Sequence, residues 1–279
     1  MSTNWRFLDV DTIDGFYSTA LFESIAGHVG SNSVPETILF WRVHSPVVYL
    51  GYHQCVMDEI NADFCSQNNI GIVRRILGGG CGFCDENQVL YSVIGKEDGI
   101  IPNDIQAAYT KVLRGVVNAL FALGIEGEIE YERNAVLVHV FKYGVLSGRK
   151  ISGNAQGRFS GAVLINGSLL LDFDFELMDR VLKNPTKNLR PVAHAKDGMI
   201  TLKEMGITDI GIVKNALRQG FEKALGISSQ DGTLTLREAD TANQLLDKYH
   251  RHDWIYRMDI KRTLRKLRKS SSAPPPQQA

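Results

Sequence analysis

The sequence predicts an α+β fold in which mixed β-sheets are flanked by helices. Segments typical of strands occur in groups between helical segments, and neither a regular strand–helix alternation nor an internal repeat is visible. The chain has 279 residues, of which 44% are apolar. This length and composition are sufficient for a full hydrophobic core, and they favour one large domain or one domain with a small appendage.

The first third of the chain contains the first group of predicted strands. Trp5 to Leu8 is expected to form an edge strand, and a helix is expected from about Asp14 to His28. β-Branched and aromatic residues then predict two strands, and a short helix precedes the strand that leads into a run of glycines. These elements are expected at residues 36–43, 47–50, 61–69 and 70–73.

The clearest helix lies between Asn103, a favourable N-cap residue, and Gly124, a typical C-terminal stop. Its apolar residues repeat at helical spacing, so one face is expected to be buried. These residues are Ile105, Tyr109, Val112, Val116, Leu120 and Leu123. The pattern assigns this helix to the scaffold of the fold.

Strands are predicted again after this helix, at Ile129, at 136–140 and at 143–146. Further along, Asn166-Gly167 supplies two residues that favour positive φ angles. The segment 162–172 therefore predicts a hairpin with a type I′ turn at these two residues.

The C-terminal part of the chain is predicted to be helical. Asp174 is the expected N-cap of a short helix that ends before Pro185, and Thr235 and Glu238 form a capping-box pattern. Longer helices at 212–225 and 236–249 are expected to form a small C-terminal helical layer. Residues 261–279 are basic and then rich in Ser, Pro and Gln, so we expect a disordered tail after a domain spanning residues 1–260.

Composition narrows the possible partners and locations. The 31 basic residues balance the 31 acidic residues, so the net charge gives no general attraction for nucleic acid or an anionic membrane. No apolar run approaches the roughly 20 residues that span a bilayer, and the N-terminus lacks the pattern of a signal peptide. We therefore expect a cytoplasmic protein that binds neither nucleic acid nor membrane.

Two of the four cysteines, Cys81 and Cys84, have the spacing of a metal or redox pair. Zinc is disfavoured because no second Cys pair or His pair completes a ligand set. Redox chemistry is disfavoured because the pair does not open a helix. The small number of cysteines fits a reducing compartment.

Two glycine-bearing clusters are the candidate functional segments, and the first runs from Arg74 to Ser92. Glycines 78–80 allow positive φ angles and close approach of a ligand to the backbone, although an ordinary turn would look the same. A P-loop is excluded because no Gly-Lys-Ser/Thr sequence follows the glycines and no helix begins there. A Rossmann fingerprint is excluded because the spacing G-x-G-x-x-G does not occur. Arg74 or Arg75 could bind a phosphate or carboxylate through bidentate hydrogen bonds. The alternative is that the arginine is only a charged residue on the surface.

The second cluster runs from Gly148 to Gln156 and contains Lys150. Its flanking glycines allow a substrate backbone or a phosphate to approach the lysine ammonium closely. A solvated lysine without a role is the alternative. Together the two clusters predict a pocket for ATP or an acyl phosphate that lacks a P-loop.

These segments together resemble the lipoate-protein ligase and octanoyltransferase family, whose catalytic domain is related in fold to that of biotin-protein ligases. The first cluster is similar to the family's RRxxGGGxVFHD…NYS segment, and the second is similar to its GRKISGNAQ segment. Three further segments are similar to family motifs. Arg133-Asn134 is similar to RND, the segment 167–172 is similar to HGTLLLD, and Gly51 and Gln54 match the motif GxxQ. The resemblance covers roughly residues 5–255, and several ordered motifs are more specific than one.

The resemblance implies an ATP-dependent lipoate-protein ligase that converts lipoate and Mg-ATP to lipoyl-AMP and then acylates a lysine of a lipoyl-domain protein. Lys150 would be catalytic, bridging the lipoate carboxylate and the α-phosphate. Arg75 would cover the acyl or adenylate group, and Asn134 would contact the phosphates or their Mg²⁺. The other expected binding residues are Gly51, Gln54, Gly78, Gly79, Gly80, Phe83, Cys84, Asp85, Ser152, Gly153, Ala155, Gly167 and Ser168.

The resemblance also implies the partners. The acyl acceptor would be the acyltransferase of a 2-oxoacid dehydrogenase, the glycine cleavage H protein or a related lipoate-binding protein. Many ligases of the family carry a C-terminal accessory domain, whereas this sequence ends soon after Trp254. A separate small accessory subunit is therefore one expectation, with the basic tail docking either that subunit or an acidic lipoyl domain.

Departures from the family pattern keep two alternatives open. Cys84 and Asn166 stand in place of family histidines, and Ala135 stands in place of the aspartate of RND, which puts the usual metal contact in doubt. An octanoyl or lipoyl transferase acting on an acyl thioester would use a thiol nucleophile. The cysteine positions of those enzymes are not matched, with Thr186 at one of them, so only Cys84 offers a thiol, and it also suits a buried apolar role. A non-catalytic relative that binds acyl-adenylates is the second alternative.

Overall fold

The computed structural model describes residues 4–142 and 145–271. Two sheets organise the fold, one with eight strands and one with three. The strands are β1 (Asn4–Ile13), β2 (Thr37–Val43), β3 (Val47–Leu50), β4 (Gly71–Arg74), β5 (Gly82–Cys84), β6 (Gln88–Lys96), β7 (Gly127–Glu130), β8 (Ala135–Lys142), β9 (Val145–Phe159), β10 (Ala162–Leu170) and β11 (Ser228–Asp231). The α-helices are α1 (Gly15–Gly30), α2 (Val56–Glu59), α3 (Ala62–Gln67), α4 (Ile105–Ala122), α5 (Phe175–Val181), α6 (Ala195–Gly198), α7 (Ile210–Leu225), α8 (Leu236–His250), α9 (His252–Ile255) and α10 (Arg257–Ser271).

The large sheet has the strand order β11-β1-β2-β6-β10-β9-β8-β7. β1 pairs in parallel with both β11 and β2, and the pairs from β2 to β7 are antiparallel. The predicted edge strand at Trp5 to Leu8 is therefore an interior strand, and the edge assignment is wrong. The sequence gives little sign of β11, because this four-residue strand is polar throughout.

Helices cover both faces of the large sheet. Ile38 and Phe40 of β2 belong to the core shared with α4 and α7, whereas Leu39 and Trp41 belong to the core shared with α1 and α8. Successive strand residues point to opposite faces, so these two cores lie on opposite sides of the sheet. The predicted C-terminal helices α7 and α8 are confirmed as helices, but they are divided between the two faces instead of forming one layer.

The small sheet has the order β4-β3-β5, with β3 parallel to β4 and antiparallel to β5. The predicted strand at 47–50 is confirmed, and the one predicted at 70–73 lies one residue later. The segment that joins β4 to β5, residues 75–81, is called the glycine loop below. It is part of the first of the two clusters in the sequence, which runs from Arg74 to Ser92.

Side-chain caps define where several helices begin. Asp14 accepts hydrogen bonds from two first-turn amides of α1, and Asp174 accepts one from the amide of Leu177 in α5. Thr235 and Glu238 form the reciprocal hydrogen bonds of a capping box in α8. All three helix starts were predicted, those of α5 and α8 from their capping residues and that of α1 from the spacing of its apolar residues.

The long helix α4 begins one residue later than predicted. Asp104, not Asn103, accepts the capping hydrogen bond. Gly124 follows the helix with φ +78°, as expected of a C-terminal stop. Ile105 is 59% exposed instead of buried, since the residues of α4 that join the core begin at Ala108.

The predicted hairpin turn at Asn166-Gly167 is wrong. Both residues lie inside β10, which pairs along its length with β6 and β9. The turn is at Ser160-Gly161 instead, where φ is 51° and 81°. Gly167 is required for close packing, because a Cβ there would lie 2.4 Å from the Tyr91 hydroxyl. The strands predicted at Ile129 and 136–140 are confirmed as β7 and β8, and residues 143–144 of the third lie outside the described residues.

Helix α10 runs from Arg257 to Ser271. The disorder expected from Lys261 onward is therefore wrong as far as Ser271, and residues 272–279 lie outside the described part of the chain. Lys, Arg and Leu favour helices, and Asp259 anchors the first turn to α2, so a basic composition did not prevent order here. None of the described helices is long and apolar enough to cross a bilayer.

Candidate functional site

A cavity of about 310 Å³ is lined by the glycine loop, by β9 and β10 of the large sheet, and by the segment between α5 and α6. The structure therefore brings together both sequence clusters. Twelve of the predicted site residues line it, namely Arg75, Gly79, Gly80, Phe83, Cys84, Asn134, Lys150, Ser152, Gly153, Ala155, Gly167 and Ser168.

Lys150 lies on β9 and lines the cavity, and its ammonium group has no hydrogen-bond or ion-pair partner among the described residues. Burial, with a smaller contribution from the nearby Arg133 cation, lowers the pKa of Lys150 to about 8. Gly153 leaves space for the side chain, since a Cβ there would lie 3.0 Å from Nζ. Lys150 is thus still largely a cation at neutral pH and can bind an anionic or polarised group.

A hydrogen-bonded network supports the strands around Lys150. The Tyr91 hydroxyl donates to Oδ1 of Asn154 and lies 3.3 Å from Oγ of Ser152. Nδ2 of Asn154 donates to the carbonyl of Asn134 at 3.1 Å. Asn134 has φ 48°, a left-handed conformation that Asn tolerates better than most residues. The network therefore holds the turn before β8 against β9.

The two arginines of the first cluster make structural contacts. Arg74 is fully buried and donates to the carbonyls of Gly51, Tyr52, Trp254 and Ile255 at 2.6–3.1 Å. Arg74 therefore connects the turn after β3 to α9, and of the two arginines considered for a ligand anion it is the one whose guanidinium is taken up by these four carbonyls.

Arg75 lines the cavity, but its guanidinium holds the glycine loop together. It donates to the carbonyls of Tyr49, Gly78 and Gly80 at 2.6–2.9 Å. Only its Nε atom is buried without a partner in the described structure. Burial lowers the pKa of Arg75, and the nearby Cys81 and Cys84 oppose this only in part. The main role of Arg75 in this structure is therefore to hold the glycine loop in shape. Most of its donors are occupied by the protein, which leaves few for an acyl-adenylate.

Four predicted binding residues lie outside the cavity lining: Gly51, Gln54, Gly78 and Asp85. The amide of Gly51 donates to Oε1 of Gln54 at 2.9 Å, and a Cβ on Gly51 would lie 2.1 Å from the Gly79 carbonyl. Gly78 gives its carbonyl to Arg75. Gly51, Gln54 and Gly78 therefore support the glycine loop instead of lining the cavity.

Asp85 is a buried structural carboxylate, 2% exposed. Its oxygens accept hydrogen bonds from the amides of Asn87 and Asp174 at 2.9 and 2.8 Å. Burial raises its pKa, and these two hydrogen bonds oppose the rise. Asp85 thereby connects the end of β5 to the start of α5.

The thiols of Cys81 and Cys84 both line the cavity, but both are protonated at neutral pH. Burial raises the pKa of Cys81 to about 12, and the Arg75 cation opposes this only in part. Burial and then the neighbouring Asp85 carboxylate raise the pKa of Cys84 well above its ordinary range. Neither thiol is activated as a nucleophile by its surroundings in this structure.

Asn134, the expected magnesium contact, does not belong to a cluster of metal-binding side chains in the described structure. The described residues contain no cluster of three His, Cys, Asp or Glu side chains that could hold a metal ion. Ala135, at the family's aspartate position, is completely buried. A Mg²⁺ ion carried by a nucleotide needs few protein ligands, so the residues present suit an ion held mainly by phosphate oxygens and not a resident metal centre.

The apolar part of the cavity wall was missed by the sequence analysis. Phe22, Trp41, Tyr49 and Leu90 line the cavity and also belong to the core on the α1 face. The Tyr49 hydroxyl is satisfied by Oγ of Ser18 at 2.6 Å, so its polar atom is occupied. Such residues look like ordinary core residues in a sequence, and no local pattern distinguishes them.

Lys187 belongs to the segment between α5 and α6 that lines the cavity. Its ammonium pairs with Glu59, the last residue of α2, at 2.6 Å. On the same segment, Asn188 is held so close to the glycine loop that a Cβ on Gly80 would lie 2.6 Å from its Nδ2. This segment therefore borders the cavity together with α2 and the glycine loop.

Comparison with protein families gives one match over most of the chain. The sequence model described as "Lipoyl protein ligase A/B catalytic domain" matches residues 14–222. Octanoyltransferase LipM of Symbiobacterium thermophilum is 31% identical over 275 residues, which cover 92% of this chain and 100% of the relative. Octanoyltransferase LipM of Halalkalibacterium halodurans is 29% identical, with 91% and 99% covered.

Solved structures show the same architecture. A bi-partite lipoate protein ligase from Thermoplasma acidophilum, described with its E2 lipoyl domain, has a TM-score of 0.77 at 27% identity, covering 92% of this chain and 97% of its own. A lipoate-protein ligase A bound with ATP has a TM-score of 0.75 at 25% identity, covering 92% and 100%. The predicted α+β fold, with mixed sheets flanked by helices, is confirmed.

Proposed function

Because this chain belongs to the lipoyl protein ligase A/B catalytic domain family, as its motifs predicted, we propose that it acylates a lysine of a lipoyl domain with an octanoyl or lipoyl group. The observation that carries the proposal is the Lys150 ammonium, which has no partner among the described residues and lies in a cavity with large apolar walls. A medium-chain acyl group needs apolar walls for its chain, and a cation stabilises its oxygen-bearing end. The bi-partite ligase described with an E2 lipoyl domain supports the choice of acceptor.

The first candidate for the acyl donor is an octanoyl thioester. The full-length similarity to octanoyltransferases favours this donor. The acceptor lysine amine would attack the thioester carbonyl, an amide bond would form, and the C–S bond would break to release the donor thiol with a proton. Lys150 would stabilise the negative charge that develops on the carbonyl oxygen. A covalent route would require Cys81 or Cys84 to lose its proton first.

The second candidate is ATP-dependent lipoate ligation, and a specific observation favours it. The two thiols that line the cavity are neutral, whereas Lys150 is largely charged and has no partner in the described part of the chain. A carboxylate and a phosphate both need such a cation when the carboxylate oxygen attacks the α-phosphorus and pyrophosphate leaves. ATP and Mg²⁺ would then enter as substrates, and the similarity to a ligase solved with ATP supports this alternative.

One experiment separates the candidates. The full chain is incubated with an apo lipoyl domain and either octanoyl-carrier-protein thioester without ATP or lipoate with Mg-ATP, and acylation is measured by mass spectrometry. ATP-independent octanoyl transfer is the expected result. Cys81→Ser and Cys84→Ser variants that retain transfer indicate direct attack, and loss in one of them identifies a covalent carrier.

Modification with lipoate and Mg-ATP alone would replace the first candidate by the second. Binding of the acyl compounds without any transfer would refute both and support the non-catalytic relative that the motif departures left open. The same two reactions with Lys150→Ala test whether the ammonium contributes to acyl transfer at all.

A further inference from the structure

Helix α10 concentrates positive charge on a chain that is otherwise acidic. Residues 257–271 contain seven basic residues and one acidic residue, whereas the whole chain has 31 of each, so the other residues are net acidic by six. Lys261 and Arg265 are exposed and have no ion-pair partner among the described residues. An acidic protein would therefore be attracted to α10 and repelled by the remainder of the chain.

Helix α10 is attached to the border of the cavity. The carboxylate of Asp259 accepts hydrogen bonds from the amides of Val56 and Met57 at 2.9 and 3.1 Å, which caps the start of α2. Arg262 pairs with Asp58 at 2.6 Å. The short helix α2 ends at Glu59, which lines the cavity. A partner bound to α10 would thus be held beside the place where acyl transfer is proposed.

The same region exposes apolar side chains. Met57 is 54% exposed, and Ile260 and Leu264 are 40% and 51% exposed. Ile260 and Leu264 are four residues apart and lie on one face of α10, and Asp259 joins this helix to the amide of Met57. An apolar patch bordered by charged groups is typical of a protein-binding surface.

We propose that α10, together with Met57 of α2, is the docking surface for the acidic acceptor domain whose lysine is acylated. The identity of this partner rests on the proposed function, and its chemistry follows from the charge of the helix. Carboxylates of the partner would meet Lys261 and Arg265, and an apolar side chain would cover Leu264. The positive charges guide the acceptor toward the cavity, and the apolar contact slows its release.

The test measures binding of a net-acidic apo lipoyl domain to the full chain by calorimetry, with no acyl donor present. The double variant Lys261→Glu/Arg265→Glu is expected to bind at least tenfold more weakly than the wild type, and the difference should shrink at high salt. The control Lys223→Glu/Arg237→Glu makes the same charge change at exposed positions on α7 and α8 and is expected to change affinity less than twofold. Leu264→Ala is expected to weaken binding about fivefold at every salt concentration.

Equal affinity of the wild type and the α10 double variant, or no binding by the wild type, would overturn the proposal. Circular dichroism of the double variant shows whether α10 is still helical. Co-sedimentation with anionic phospholipid vesicles tests a membrane surface as the alternative partner. If vesicle binding needs Lys261 and Arg265 while the affinity for the lipoyl domain is unchanged in the double variant, α10 binds a membrane and the proposal is overturned. Because binding is measured without catalysis, failure of the proposed acyl transfer leaves this result interpretable.

Discussion

Two of the segments that line the cavity, the glycine loop and β9, each carry a cation, and the two cations differ in their contacts. In the wall formed by the glycine loop, Arg75 donates hydrogen bonds to the carbonyls of Tyr49, Gly78 and Gly80. In the wall formed by β9, Lys150 has no partner among the described residues. The first cation stabilises the protein, and the second is available to a ligand.

The difference follows from the backbone on each side. The glycine loop leaves the small sheet without a neighbouring strand to satisfy its carbonyls, so a buried guanidinium takes that role. At Lys150, β9 pairs with β8, and the Lys150 carbonyl accepts a hydrogen bond from the amide of Ile200 at 2.9 Å. The backbone there needs no side-chain donor, and the ammonium has no partner among the described residues. A cation in a motif thus contributes to binding only where the backbone around it is already satisfied.

The largest effect is expected for Lys150→Ala, which removes the available cation. The second-order rate constant of acyl transfer should fall by about 10²–10³, because the developing negative charge loses its stabilising partner. The melting temperature should not fall, since the ammonium makes no hydrogen bond in the described structure and is costly to bury. Full activity in Lys150→Ala would show that the comparison between the walls is mistaken.

Arg74→Met tests whether the arginines of the first cluster stabilise the fold. Arg74, like Arg75, donates to backbone carbonyls. Four backbone carbonyls would lose their donor, and we expect a loss of about 3 kcal/mol in the free energy of unfolding. This corresponds to a fall of roughly 6–12 °C in melting temperature, measured by calorimetry. Activity per folded molecule should change little, and Arg237→Met on the exposed face of α8 is the control, expected to stay within about 0.5 kcal/mol. An unchanged melting temperature in Arg74→Met would contradict the assignment.

A pH titration distinguishes the walls without changing the fold. Lys150 has a pKa lowered to about 8, so its charge is present below that pH and is lost as the pH rises through it. Octanoate binding should weaken about tenfold between pH 7 and pH 9, because a carboxylate binds only the ammonium form. Lys150→Arg stays charged over this range and should give a flat profile. A flat profile in the wild type would exclude Lys150 as the carboxylate partner.

The smallest effect is expected for Tyr91→Phe, which disturbs the support of the β9 wall. The hydroxyl donor to Asn154 is lost, and we expect about 1 kcal/mol of destabilisation together with a roughly fivefold higher KM for the acyl donor. A double-mutant cycle with Asn154→Ala measures the coupling between the two residues. Additive effects in that cycle would mean that the hydrogen bond does not position the turn.

Much of the fold was predictable because its signals are local. The caps at Asp14, Asp174 and Thr235 are short patterns in which one side chain bonds an amide two or three residues later. The failure at Asn166-Gly167 has the opposite cause. The pair is typical of a hairpin turn, but β6 and β9 flank it on both sides, and that pairing depends on residues far away in the chain.

The site shows the same division. The motifs around the glycine loop and Lys150 predicted the family, and twelve of the sixteen predicted site residues line the cavity, because contiguous segments form part of its wall. Phe22 and Trp41 were missed, since an aromatic residue that lines a cavity looks the same in sequence as one that fills a core.

The sequence by itself determined the family, the α+β class and the two segments that meet at the cavity, since these depend on local patterns and ordered motifs. Only the tertiary structure decided which cations are available. Arg75 and Lys150 are equally prominent in the motifs, and what separates them is whether nearby carbonyls already have donors. That depends on pairing between distant parts of the chain, which satisfies the β9 backbone near Lys150 but leaves the carbonyls of Gly78 and Gly80 to Arg75.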